Sequence, residues 1–292
     1  MKTPLDQACL AEPLTCDGAM GTQLIQRGMS PGECGMRWNA ERPDDIRAVH
    51  QDYRDAGCRL IITNSFGGTR SMLERHGEGG HTAEWNRLAA KIAADAAGPD
   101  GWVLGDVGPF GDFLEPMGET TTEELEAIFR EQIEALAAGG ADAILVETMS
   151  DPAELTVGVK TARQVTDLPV VATYAFQDSG GEFRTMMGTT VADAIRAACD
   201  AGASIVGSNC GTDLSLENYL KLGEQIVAAA GDIPTILQPN AGAPRNADGG
   251  VVYDATPEDM AELARKLREL GIHIIGGCCG TSPAHLAAMA RV

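Results

Sequence analysis

One polarity pattern recurs along the chain: a short apolar run, a polar or glycine-rich turn, then a stretch with apolar positions three and four residues apart. The apolar runs predict strands over Leu14–Cys16, Arg59–Thr63, Trp102–Asp106, Asp142–Glu147, Pro169–Tyr174, Ser204–Ser208, Pro234–Gln238 and Ile272–Gly276. They are continuous, as in Ala143-Ile144-Leu145-Val146, which suits parallel strands covered on both faces. The intervening stretches read as amphipathic helices. Thr121 and Glu124 form a capping box, Leu125, Ile128, Phe129, Ile133 and Leu136 share one face, and Gly139 ends the helix. Asp151-Pro152, Thr256-Pro257 and Ser282-Pro283 each place a capping residue before a proline at the first helical position. Gly77–Gly80 and Asp178–Gly181 read as loops. Regular alternation of these units predicts an α/β protein, a single (β/α)8 TIM barrel over residues 1–292, with an open doubly wound sheet as the alternative.

Composition narrows the function. With 292 residues, 44% hydrophobic and 22% charged, the chain can bury one large core. A formal charge of −20 argues against a nucleic-acid partner, which needs clustered Lys and Arg. No run approaches the roughly 20 apolar residues of a membrane span. Met1–Leu10 lacks an apolar signal region, so the expectation is a cytoplasmic protein without a membrane partner.

In a barrel the active site lies at the C-terminal strand ends. Those ends carry Asp17, Asn64, Asp106, Glu147, Cys210, Asn240 and the Cys278-Cys279 pair. Eight cysteines in a chain this long are not a disulfide framework. Cys9, Cys16, Cys34, Cys58 and Cys199 read as small buried hydrophobes. Cys210 ends the sixth strand and Cys278-Cys279 the eighth, and alternate strands can converge on one point. Adjacent strand residues face opposite ways, so both Cys278 and Cys279 reach one metal only if the backbone leaves strand geometry, as the flanking glycines permit. Three thiolates with an open fourth position suit a catalytic zinc; a vicinal redox pair is the competing reading. The five histidines show no ligand spacing, and His273 reads as packing inside the eighth strand.

The ordered segments Asp17-Gly18-Ala19-Met20-Gly21-Thr22, Thr63-Asn64-Ser65-Phe66-Gly67, Glu147-Thr148, Asn209-Cys210, Pro239-Asn240-Ala241-Gly242 and Gly276-Gly277-Cys278-Cys279-Gly280-Thr281 resemble the homocysteine S-methyltransferase family. The resemblance runs from about Leu14 to His285. It implies one Zn2+ held by Cys210, Cys278 and Cys279, with water or the Asn240 side-chain oxygen in the fourth position before substrate arrives. It implies a homocysteine site that includes Asn64, with the ammonium on Asp17 and Glu147 and the carboxylate on backbone N–H groups near Gly18 and Ala19. A turn entering a helix is a fitting source of such donors. The implied reaction forms methionine: a thiol with pKa near 8.5 is mostly protonated at pH 7, and zinc coordination makes it a nucleophile.

Gly67, Gly108-Pro109-Phe110-Gly111 and Met117-Gly118 are more similar to the barrel of cobalamin-dependent methionine synthase, which favours a methylcorrinoid donor. The chain carries no Asp-x-His-x-x-Gly corrinoid signature, so that donor would come on a partner protein. Alternatives are a betaine- or S-methylmethionine-type enzyme without corrinoid, a zinc hydrolase, and a zinc-binding redox sensor. Trp38 is either a contact for an onium donor through its π face or a loop anchor. The loops Gly28–Asn39, Gln177–Gly188 and Asn240–Gly250 are expected to shape the opening to the donor.

Overall fold

The computed structural model describes residues 2–30, 32–247 and 250–292, so the predicted loops around 31 and 248–249 are described only in part. Eight parallel strands form the barrel: β1 (Leu14–Thr15), β2 (Leu60–Ile62), β3 (Trp102–Val107), β4 (Ala143–Met149), β5 (Val170–Tyr174), β6 (Ile205–Asn209), β7 (Thr235–Gln238) and β8 (Ile274–Ile275). Neighbours follow chain order from β2 to β8, and β8 pairs with β1. The ring closes at a single parallel bridge, Cys16 to Leu60. All eight predicted strands are present, with ends shifted by at most two residues. His273 lies just ahead of β8 rather than inside it, its Nδ1 accepting the Thr235 N–H at 3.2 Å.

A barrel helix follows each strand, the last of only seven residues: α1 (Pro43–Asp55), α2 (Thr82–Ala97), α3 (Thr122–Gly139), α4 (Pro152–Val165), α5 (Val191–Ala201), α6 (Leu216–Ala230), α7 (Pro257–Glu269) and α8 (Pro283–Met289). The Thr121–Glu124 capping box starts α3, and Gly140, left-handed at φ 105°, caps it one residue past the predicted stop. Two antiparallel hairpins rise from the C-terminal face, Phe176–Asp178 with Phe183–Thr185 and Arg245–Ala247 with Gly250–Val252. Among the described residues no helix is long and apolar enough to cross a membrane.

The barrel interior is graded along its axis. Leu104, Ala143, Leu145, Val171, Ile205, Ile236 and Ile274 form one buried apolar cluster inside the ring. Leu5, Ala8 and Cys9 of an N-terminal helix (Leu5–Ala11) join that cluster and plug the N-terminal end; the hydrophobic pattern did not predict this helix. Side chains alternate along a strand, so two residues further on the inward positions are Asp106, Glu147, Thr173 and Gln238, joined by Asn209 four residues beyond Ile205, all buried. An apolar floor thus supports a polar layer beneath the mouth.

Candidate active site

The three predicted ligand cysteines meet. Sγ atoms of Cys210, Cys278 and Cys279 lie within 4.8 Å of one another, and among the described residues no other His, Cys, Asp or Glu group is so disposed. Cys210 and Cys279 are 3.9 Å apart. The backbone explains how adjacent cysteines share a point. Strand β8 stops at Ile275, and the next residues follow a turn: Gly277 N–H donates to Asp17 O, Cys278 N–H to Pro239 O, and Thr281 N–H back to Cys278 O. A Cβ at Gly277 would lie 2.6 Å from Thr281 Oγ1, so this turn excludes larger residues. Cys210 takes a left-handed φ of 55°, uncommon for a residue with a Cβ. The Tyr219 hydroxyl donates to Cys210 O at 2.7 Å and accepts the Asn240 N–H at 3.2 Å, tying β6 to the loop after β7.

Without a cation the thiols divide. Hydrogen bonds from Cys210 and Cys278 lower Cys279 from the usual thiol range to about 3. Donation to Cys210 and Cys279, with burial, pushes Cys278 well up. A single negative charge is what the cluster accommodates alone; a soft divalent cation is what lets all three ionise. Asn240 Oδ1 is buried without a hydrogen-bond partner, while its Nδ2 donates to Gly211 O at 3.2 Å. The donor set therefore fits zinc, with a free oxygen on the loop that pairs with both cysteines' backbones.

A cavity of about 430 Å³ opens above the cluster. Gly18, Ala19, Asn64, Glu147, Cys210, Cys278 and Cys279 line it, as does Asp106, and Met20, Met29, Met36, Met72 and Phe66 supply an apolar side. Asp17 and Asn240 are buried behind this lining. Glu147 sits where the register of β4 against β5 shifts, and Thr148 beside it has φ 58°. Asn209 holds that bulge: its Oδ1 accepts the Thr148 N–H at 2.8 Å and the Thr173 hydroxyl at 2.7 Å, and its amide donates to Glu147. Burial pushes the Asp17 carboxyl well above the carboxylate range, although Ile62 N–H donates to it at 2.9 Å. Burial, then the charge of Glu147, does the same to Asp106, and burial also raises Glu147.

Three expectations need refinement. Ala19 N–H already donates to Thr281 Oγ1 at 3.1 Å, so the amide expected to be open for a carboxylate is engaged. Asn64 spends its Nδ2 on Gly35 O and Asn39 Oδ1, anchoring the loop after β1, and only its oxygen remains for a ligand. Trp38 is buried, donates to Glu33 at 2.7 Å and carries the Arg42 guanidinium 3.6 Å over its ring, so it is a loop anchor and not a contact for an onium donor. The sequence pattern gave Asp106 no role, and the methionine wall was not anticipated; their scattered positions carry no motif.

The sequence profile described as homocysteine S-methyltransferase matches residues 14–292. The methionine synthase of Mycobacterium tuberculosis is 31% identical over 293 aligned residues, covering 94% of this chain, and that of Mycobacterium leprae is 30% identical over 298. The chain spans 24% of the length of these two relatives. In fold it is similar to the metallated homocysteine methyltransferase MmuM of Escherichia coli, with a TM-score of 0.80, 24% identity and 98% of each chain covered. A profile match over nearly the whole chain, around three converging cysteines, establishes that the protein belongs to the homocysteine S-methyltransferase family.

Proposed function

We propose that the protein is a zinc-dependent homocysteine S-methyltransferase that forms methionine. The observation that carries this reading is the convergence of Cys210, Cys278 and Cys279 beneath a cavity walled by buried carboxylates. Those three residues would hold the zinc, with Asn240 Oδ1 in the fourth position before substrate binds. Zinc bound there supplies Lewis acidity that lowers the proton affinity of the substrate thiol, making it a nucleophile near pH 7.

The remaining work falls to the chain. Glu147 receives the ammonium group of homocysteine, with the charge of Asp17 placed behind it, and the turn at Gly18 and Ala19 receives the carboxylate, Thr281 yielding the Ala19 N–H. Asn209 fixes the direction of Glu147. The methionine wall lies along the methylene stem and keeps water from the sulfur. The sulfur lone pair forms the new S–C bond while the donor's bond to that methyl breaks, the leaving group departing with the electron pair.

The methyl donor approaches from outside the mouth. A methylcorrinoid on a partner protein is the favoured donor, supported by the likeness of Gly67, Gly108-Pro109-Phe110-Gly111 and Met117-Gly118 to the barrel of cobalamin-dependent methionine synthase. The test is to incubate zinc-loaded protein and homocysteine with methylcobalamin, glycine betaine, dimethylsulfoniopropionate or S-methylmethionine and to follow methionine by mass spectrometry. Slow product with free methylcobalamin supports the corrinoid route. Rapid turnover with a small onium compound alone reassigns the donor, and no methionine from any of them overturns the reading.

A further inference from the structure

Asp106 is the least satisfied acid at the site. It is the inward position of β3 two residues beyond Leu104, and its backbone is fully committed: its N–H donates to Thr63 Oγ1 at 2.9 Å, and its carbonyl accepts from Ser65 Oγ at 2.7 Å and Gln132 Nε2 at 3.2 Å. What remains is the carboxyl, which lines the cavity yet is only 2% exposed, with Oδ1 buried and without a partner. A buried polar atom left unpaired is costly, and such an atom facing a cavity calls for a donor from the ligand.

Its neighbours define that ligand. The Asp106 and Glu147 carboxyls lie within hydrogen-bonding reach of each other, and no lysine or arginine among the described residues lines the cavity beside them. Asp17, by contrast, is behind the lining, with its oxygens already accepting Ile62 N–H and facing the Cys16 thiol. These acids do not join a metal-ligating group among the described residues; the cysteines form the one such group. A compact organic cation with several N–H donors suits such a seat better than a bare ion.

We propose that Asp106 is a further substrate-contacting residue, which with Glu147 forms the seat of the substrate's ammonium group and selects α-amino thiols over thiols lacking that group. The assignment rests on the homocysteine reading. Asp106 contributes an acceptor beside Glu147, whose Oε2 is already taken up by Asn209 and Thr148.

The test is calorimetric titration of the zinc-loaded protein with L-homocysteine and with 4-sulfanylbutanoate, its analogue without the amino group. Wild type is expected to prefer homocysteine. Asp106→Asn is expected to bind homocysteine at least tenfold more weakly, to bind the analogue within about twofold of wild type, and to keep its zinc. Asp106→Ser, shorter and also uncharged, gives the same pattern if the asparagine variant misfolds. Equal homocysteine affinity in wild type and a folded variant overturns the assignment alone. A wild type that binds neither thiol overturns the homocysteine reading together with it.

Discussion

Asn209 and Glu147, on strands separated by β5, are joined side chain to side chain, and the same asparagine receives the Thr148 N–H. One buried amide therefore sets both the bulge in β4 and the direction of the carboxylate it carries. Replacing Asn209 with Ala leaves several buried groups unpaired. The expected cost is about 1–3 kcal/mol of stability for each group water cannot reach, with weaker homocysteine binding. Urea unfolding and calorimetric titration measure the two effects; unchanged values in both contradict the positioning role.

Each of Cys210→Ala, Cys278→Ala and Cys279→Ala should lower zinc content and abolish methyl transfer while the barrel stays folded. The core is large and lies mostly away from the cluster, unlike that of a small domain whose folding energy is its metal's. Elemental analysis with circular dichroism checks this. Full zinc occupancy in all three variants rules out the cluster as the site.

Glu147→Gln and Asp17→Asn each remove a charge but keep an acceptor. A charge-assisted hydrogen bond contributes about 1.5–3 kcal/mol, which corresponds to roughly ten- to a hundredfold in homocysteine affinity. Zinc content should not change. Titration showing wild-type affinity in both variants places the ammonium elsewhere.

Glu154, in the first turn of α4, is buried and accepts the Phe110 N–H at 2.8 Å; burial raises its pKa from 4.5 to about 7. The folded protein then holds this proton more tightly than the unfolded chain. Its contribution to stability is complete below about pH 4.5 and is lost as pH rises through 7. Glu154→Gln keeps an acceptor for Phe110 and cannot titrate. Between pH 5 and 8 wild type should lose about 2–3 kcal/mol more than the variant, read from urea midpoints at both pH values. Parallel pH dependence in the two proteins refutes it.

Leu5→Ala in the N-terminal plug should cost about 2–5 kcal/mol, because Leu5 is fully buried against the barrel floor. Zinc content should be unaffected, since the plug sits at the opposite end from the cysteines. A melting temperature equal to wild type would show the plug to be dispensable.

The eight strands were legible because a strand buried on both faces is apolar without interruption, as Ala143 to Val146 are. The cysteines were legible because a turn of glycines around two adjacent thiols has few structural uses. The plug helix was not: seven residues with three buried positions give too little periodicity. Asp106 and Trp38 show a different limit. Whether a carboxylate at a strand end faces inward depends on register, and whether an indole face is free depends on an arginine four positions on, Arg42, folding back over it.

The single bridge between β1 and β2 has a consequence for motion. At that seam the backbone supplies Arg59 N–H to Thr15 O and Asp17 N–H to Leu60 O, and the next rung, from Ile62 N–H, lands on the side chain of Asp17. One carboxylate is thus a rung of the ladder and, in the proposed homocysteine site, the charge that stands behind the ammonium seat. Breathing of the barrel at its thinnest join and vacancy of that seat become a shared equilibrium, so a bound amino acid should slow hydrogen exchange at Ile62 more than at strands far from the seam.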